Sequence, residues 1–149
     1  MTHSLTVIAR RLAFIRETEG PNRGAWVEFL QRQCGGVPGD SWCAQFASVV
    51  CDIAYHGRSP VKKSGAADAR LQDARMKGFV VPFPQPDDLY YFINSVGHAH
   101  HEGIVTDILP LVGIAGNTSE DGTSPNGTGV FEHEISVSRI VFVRLPKGT

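Results

Sequence analysis

Ser41-Trp42-Cys43-Ala44-Gln45-Phe46-Ala47-Ser48-Val49-Val50-Cys51-Asp52-Ile53-Ala54-Tyr55 is the stretch on which the fold turns. Phe46, Ala47, Val49, Val50, Ile53 and Ala54 make most of its surface apolar. The polar Gln45, Ser48 and Asp52 share one stripe at i, i+3 and i+7. This predicts a helix over 42–55 that is central and mostly buried. Asp40 and Ser41 are N-cap residues by type, and Gly57 and Pro60 end the segment.

On the N-terminal side, Leu5, Ile8, Leu12 and Ile15 recur at helical spacing and predict an amphipathic helix over 5–17. Glu19-Gly20-Pro21-Asn22 is turn chemistry. A second helix is expected to carry Trp26, Val27, Phe29 and Leu30 on its apolar side and to stop at Gly35 and Gly36. On the C-terminal side, Ser64 is expected to cap a helix that runs to Lys77 and closes at Gly78. Then the pattern changes. Leu89 to Ile93, Gly103 to Leu109, Leu111 to Ala115, Gly129 to Ile135 and Arg139 to Leu145 read as short strands, with a loop from Asn117 to Gly129. Helices first and strands second predict an α+β fold, helices packed on an antiparallel sheet, in a single domain over 1–149.

Composition narrows the function. Among 149 residues, 14 are Lys or Arg and 15 are Asp or Glu, a net charge of −1, with 42% hydrophobic and 19% charged residues. That is globular composition rather than disorder. Near-neutral charge argues against a nucleic-acid binder, which needs a basic stripe. No apolar run reaches the ~20 residues of a membrane helix, so no membrane insertion is expected. Arg10, Arg11, Arg16 and Glu17 interrupt what would be the apolar core of a signal peptide, so synthesis in the cytoplasm is expected. Three cysteines, Cys34, Cys43 and Cys51, leave at least one thiol free in a monomer. A Cys34–Cys51 disulfide is possible by position.

Cys43 stands at the predicted start of the buried helix. Free amides and the helix dipole there favour an anion, so a lowered thiol pKa and alkylation well below pH 8 are expected, with Cys34 and Cys51 lagging. The alternative is a small buried apolar cysteine. A nucleophilic cysteine needs an imidazole from elsewhere, and His98-Ala99-His100-His101-Glu102-Gly103 supplies candidates. On a strand, His101, Gly103 and Val105 share one face and Glu102 and Ile104 the other, so Glu102 is badly placed to orient His101. His100 is the fallback base if the register slips by one residue. His98, His100 and Glu102 alternate loosely like a metal motif, without the expected downstream partners. Asn117 ends the next strand and can meet His101 if the two strands are neighbours. Asn117-Thr118-Ser119 and Asn126-Gly127-Thr128 also match the glycosylation sequon.

Trp42-Cys43-Ala44-Gln45-Phe46, preceded by Pro38-Gly39, resembles the cysteine motif of CHAP domains, the cysteine- and histidine-dependent amidohydrolase/peptidase domains of bacterial and phage cell-wall enzymes. His101-Glu102-Gly103-Ile104-Val105 resembles their histidine strand, which usually reads His-Val-Gly-Ile-Val, and Gly116-Asn117-Thr118-Ser119 resembles their third motif. Glu19 to Gly24 with Val27, and Pro86 to Phe92, resemble flanking segments, so the likeness spans Glu19 to about Leu145. It implies a papain-like α+β fold. It implies hydrolysis of an amide bond of peptidoglycan, by an amidase or endopeptidase, through an acyl-enzyme on Cys43, with His101 as base and Asn117 as orienting residue. No cofactor or metal and a monomer are expected, with action at the cell wall after release or delivery, since no signal peptide is recognised. The alternative is a catalytically dormant wall-binding or phage structural module on the same fold. The chain departs from the pattern in three places. Ala115 stands where an orienting Glu is frequent, Asp87-Asp88 stands where Gly-Asp is usual, and no acidic calcium loop is recognisable near Cys43.

Overall fold

The computed structural model describes residues 3–120 and 127–147. Four helices precede a sheet: α1 (Leu5–Arg11), α2 (Ala25–Gln33), α3 (Cys43–Ala54), α4 (Ala67–Met76), then β1 (Val80–Val81), β2 (Leu89–Ile93), β3 (Ala99–Ile108), β4 (Leu111–Thr118), β5 (Gly129–Glu134) and β6 (Ile140–Val143). The strands form one sheet in the order β1-β6-β2-β3-β4-β5, and every pairing is antiparallel. The α+β layout expected from the sequence is therefore present. Part of the expected 117–129 loop falls on 121–126, outside the described residues.

The central helix is α3. Ten of its residues are buried, Gln45 and Ser48 of the predicted polar stripe among them, while Asp52 at its end reaches the surface and pairs with Lys63 at 3.2 Å. Ser48 Oγ donates to the Ser64 carbonyl at 3.0 Å and accepts from the Ser64 N–H at 3.2 Å. Val49, Val50, Phe46 and Ala54 join Leu89, Tyr91, Ile104, Ile114 and Val143 in the main core. A smaller cluster on the other side of the sheet holds Tyr90, Phe92, Val105, Ala115 and Ile135. Alternation along β2 and β3 divides the residues between the two.

Four local expectations are corrected. The first helix stops at Arg11 because the chain beyond it pairs with β5: Arg16 bridges Gly129, and the Val130 N–H donates to the Ile15 carbonyl at 3.0 Å. On α2, Val27 and Leu30 are buried, but Trp26 and Phe29 face outward and pack edge-on with each other, and Trp26 likewise with Phe14. Neither Asp40 nor Ser41 caps α3. Trp42 occupies the N-cap without a side-chain bond, and Asp40 accepts from the Val37 N–H instead. Ser64 does not cap α4, which starts after Ala66. The bounds of β3 and β4 also lie outside those expected, so His100, His101 and Asn117 are all strand residues.

Asp87 adopts a φ of 76°, where glycine is at ease and other residues are strained. Its carboxylate accepts from Ser4 Oγ at 3.1 Å and from the Thr6 N–H at 2.9 Å, which satisfies the start of α1 and offsets that strain.

One buried ion pair fastens α4 to the sheet. Arg70 and Glu102 are both fully enclosed. Arg70 Nε lies 3.0 Å from each Glu102 oxygen, Nη1 donates to the Lys62 carbonyl at 2.8 Å, and Nη2 reaches Cys51 Sγ at 3.5 Å. Tyr91 donates to Glu102 Oε2 at 2.8 Å. Burial pushes the Glu102 carboxyl above its usual range, and Arg70 and Tyr91 pull it back. Removing one partner leaves the other charge stranded. Arg70→Met alone is expected to cost about 3–5 kcal/mol in urea denaturation. The double variant Arg70→Met with Glu102→Leu is expected to recover most of that loss. Equal losses in the single and double variants would show that the pair does not hold the two elements.

Candidate active site at the splay of two strands

The β3–β4 ladder runs from Ile108↔Leu111 to Ile104↔Ile114 and, among the described residues, no further. Past that point β3 stays on β2, with Phe92 opposite His101. The end of β4 turns aside. Asn117 has a φ of 52°, and the β4–β5 register shifts between Ala115 and Thr118. The two strands thus part where the histidine and asparagine motifs lie. Gly116 faces the helices at this point. A Cβ there would fall 2.7 Å from Phe46 and 2.8 Å from Trp42, so only glycine lets the start of α3 approach β4 this closely.

Cys43 is the first residue of α3 and is buried, 6% exposed. The backbone N–H groups of Glu102, Ala44 and Cys43 itself favour its thiolate. The contact with Glu102 sets the sulfur against β3 at the peptide that follows His101. Those amides lose to burial, which pushes the Cys43 thiol up to about 11, with the Glu102 carboxylate adding to the rise. Burial pushes Cys51 to about 11 as well and raises Cys34. The expected thiol activation, and its contrast with the other cysteines, are therefore absent. The helix-terminus effect is small beside the cost of a buried charge. All three thiols are free, so no Cys34–Cys51 disulfide forms.

His101 is 2% exposed and packs face to face with Phe92, ring centres 5.1 Å apart. Burial, then the His133 and His100 charges, lower its pKa from 6.5 to about 4. Its Nδ1 has no hydrogen-bond partner among the described residues. Asn117 is fully buried. Its amide nitrogen donates to Ser41 Oγ at 2.9 Å, while its Oδ1 has no partner among the described residues. Asn117 thereby ties β4 to the loop that leads into α3. Trp42, also fully buried, donates from Nε1 to Glu17 at 2.9 Å.

Asn117 therefore meets the loop before α3 at Ser41, two residues ahead of Cys43, and the Glu102 N–H beside His101 faces the Cys43 sulfur. A Cys43–His101 or His101–Asn117 hydrogen bond is not among the contacts made. Glu102 lies on the opposite face from His101, with both oxygens spent on Arg70. The loose metal pattern does not converge: His98 faces Asp68 at 3.2 Å, and among the described residues no three ligand-type side chains group together. Sequence reasoning passed over Tyr90, fully buried on the His101 side of the sheet with its hydroxyl unpartnered among the described residues. Gly103 and Gly113 were the available signal, since each makes room for its ring.

No family model matches the chain, and no curated protein or solved structure matches it either.

Two solution properties follow. Cys43 is expected to react slowly with iodoacetamide at pH 7–8, no faster than Cys51, with the rate rising toward pH 11; rapid reaction at pH 7 would show an exposed thiolate. For His101, the folded pKa lies below the unfolded one, so the unfolded chain binds the extra proton between 6.5 and 4. The stability contributed by a neutral ring is present above pH 6.5 and is lost as pH falls toward 4. A loss of roughly 3 kcal/mol over that window is expected in the wild type relative to His101→Gln, measured by denaturant titration at each pH.

Proposed function

We propose that the protein is a cysteine-dependent hydrolase of the papain-like kind, acting on an amide bond of the peptidoglycan peptide as an amidase or endopeptidase. The observation that carries this is the seating of the start of α3 between β3 and the end of β4. Cys43 begins a buried helix, its sulfur faces the β3 amide next to His101, and Asn117 closes the other side through Ser41. The substrate class rests on the resemblance of the three motifs to CHAP domains.

In this mechanism Cys43 Sγ attacks the amide carbonyl as its proton passes to His101, forming a C–S bond. The tetrahedral intermediate then collapses, the C–N bond breaks, and His101 returns the proton to the leaving amine. Water, deprotonated by His101, releases the acyl group and regenerates the thiol. With thiol pKa about 11 and imidazole pKa about 4, the resting pair is neutral, so proton transfer accompanies attack rather than preceding it. The Cys43 backbone N–H supplies one oxyanion donor. Asn117 orients the imidazole by accepting its N–H at Oδ1, the atom left free by the bond to Ser41. No cofactor enters the scheme, and chelators are expected to leave the rate unchanged.

One observation favours the second reading, a dormant wall-binding module: Cys43, His101 and Asn117 are all buried. Digestion of purified peptidoglycan, followed by mass spectrometry, decides between them. Wild type is expected to release fragments whose new termini name the bond, while Cys43→Ala and His101→Ala fall by at least ~10³-fold. The acid limb of kcat/KM is expected near pH 4 rather than 6.5. Digestion by Cys43→Ala at the wild-type rate would refute the mechanism. Silence of the wild type on several wall chemotypes would favour the binding module.

A further inference from the structure

We infer that Tyr90 is a further positioning residue for His101, its hydroxyl serving as hydrogen-bond partner of the imidazole; this rests on the hydrolase reading above.

Tyr90 sits on β2 opposite Gly103 of β3, with its ring over the face that carries His101. Two glycines on two strands are given over to it. A Cβ at Gly103 would fall 2.4 Å from the Tyr90 hydroxyl, and a Cβ at Gly113 would fall 2.4 Å from Tyr90 Cε1. Any other residue at either position would expel the ring. The hydroxyl therefore lies over Gly103, which stands between His101 and Val105 on that face of β3.

The Tyr90 and His101 rings have centres 6.2 Å apart and planes inclined at 49°. The phenol oxygen projects from its ring and the imidazole nitrogen lies on the rim of its own, so the two atoms come within reach when turned toward each other. Both atoms lack a partner: the Tyr90 hydroxyl and His101 Nδ1 are each buried and unsatisfied among the described residues. Two such groups enclosed side by side cost more apart than joined. The neighbouring His133 is already engaged, Nε2 with Thr118 Oγ1 at 3.3 Å and Nδ1 with the Glu134 carbonyl at 3.1 Å.

The chemistry suits the ring nitrogen turned away from Cys43. In the scheme above one nitrogen takes the Cys43 proton and the other carries its N–H before and after the transfer. A phenol oxygen can accept from that N–H beside Asn117 Oδ1, so Tyr90 can hold the imidazole without competing for the reacting nitrogen.

The test is Tyr90→Phe, which keeps the ring and removes the oxygen. Long-range ¹H–¹⁵N spectra of His101 are expected to show its ring-nitrogen shifts displaced, and kcat on peptidoglycan is expected to fall about tenfold with KM unchanged. The melting temperature is expected to fall; a hydroxyl with no partner would give a rise instead and count against the bond. Unchanged His101 nitrogen shifts in Tyr90→Phe overturn the inference, as does a displacement produced by Asn117→Ala but not by Tyr90→Phe. If the wild type digests nothing, the hydrolase reading fails by itself, and the nitrogen shifts still decide the Tyr90 bond. Should Tyr90→Phe not fold, the wild type carries the test. A slowly exchanging Tyr90 hydroxyl proton with a cross-peak to the His101 ring supports the bond, and a rapidly exchanging one without it overturns it.

Discussion

The guanidinium of Arg70 collects segments that would otherwise have no reason to meet. It takes both oxygens of Glu102 on β3, the carbonyl of Lys62 in the connection before α4, and the sulfur of Cys51 on α3. Enclosing two charges is expensive, and an apolar pair of similar volume would fill the space at lower cost. What the ion pair adds is direction. The planar guanidinium spreads its nitrogens over three partners, Nε on Glu102, Nη1 on the Lys62 carbonyl and Nη2 on Cys51, so α4 is placed against β3 and α3 at once. Glu102 is also the residue whose backbone N–H faces Cys43. Its side chain thus anchors α4 while its main chain faces the Cys43 sulfur.

The site itself is a fault in a ladder. Antiparallel pairing holds β3 to β4 as far as Ile104 and Ile114, and then the strands separate. Small residues decide what packs on each face. At the separation Gly116 admits Trp42 and Phe46 from the helix side, and on the opposite face Gly103 and Gly113 admit Tyr90. A left-handed Asn117 turns β4 away and carries its amide to Ser41. Burial leaves both the Cys43 thiol and the His101 imidazole uncharged, because it outweighs the helix terminus at one and withholds the proton from the other.

Local pattern was enough for the elements. The apolar run of residues 42–55 announced a central helix, and the change from helical to alternating periodicity after Gly78 announced the sheet. Strand alternation placed His101 and Glu102 on opposite faces before any neighbour was known. Sequence reading failed where a tertiary contact competed with local preference. Leu12 and Ile15 kept the helical rhythm, yet the backbone there is claimed by β5. Ser41 has the chemistry of a cap, yet its hydroxyl accepts from Asn117. Trp26 and Phe29 looked like core residues, and the sheet leaves them no surface to cover.

By itself, then, the sequence determined the class of fold, the position of Cys43 at a helix start, and the faces of the histidine strand, because each follows from periodicities and residue types a few positions apart. The tertiary structure alone decided the partner of Glu102, the parting of β3 from β4, the buried place of Tyr90 and the ionisation of Cys43 and His101. Those depend on which surfaces exclude water and which strands are neighbours, and both are set by residues far apart in the chain.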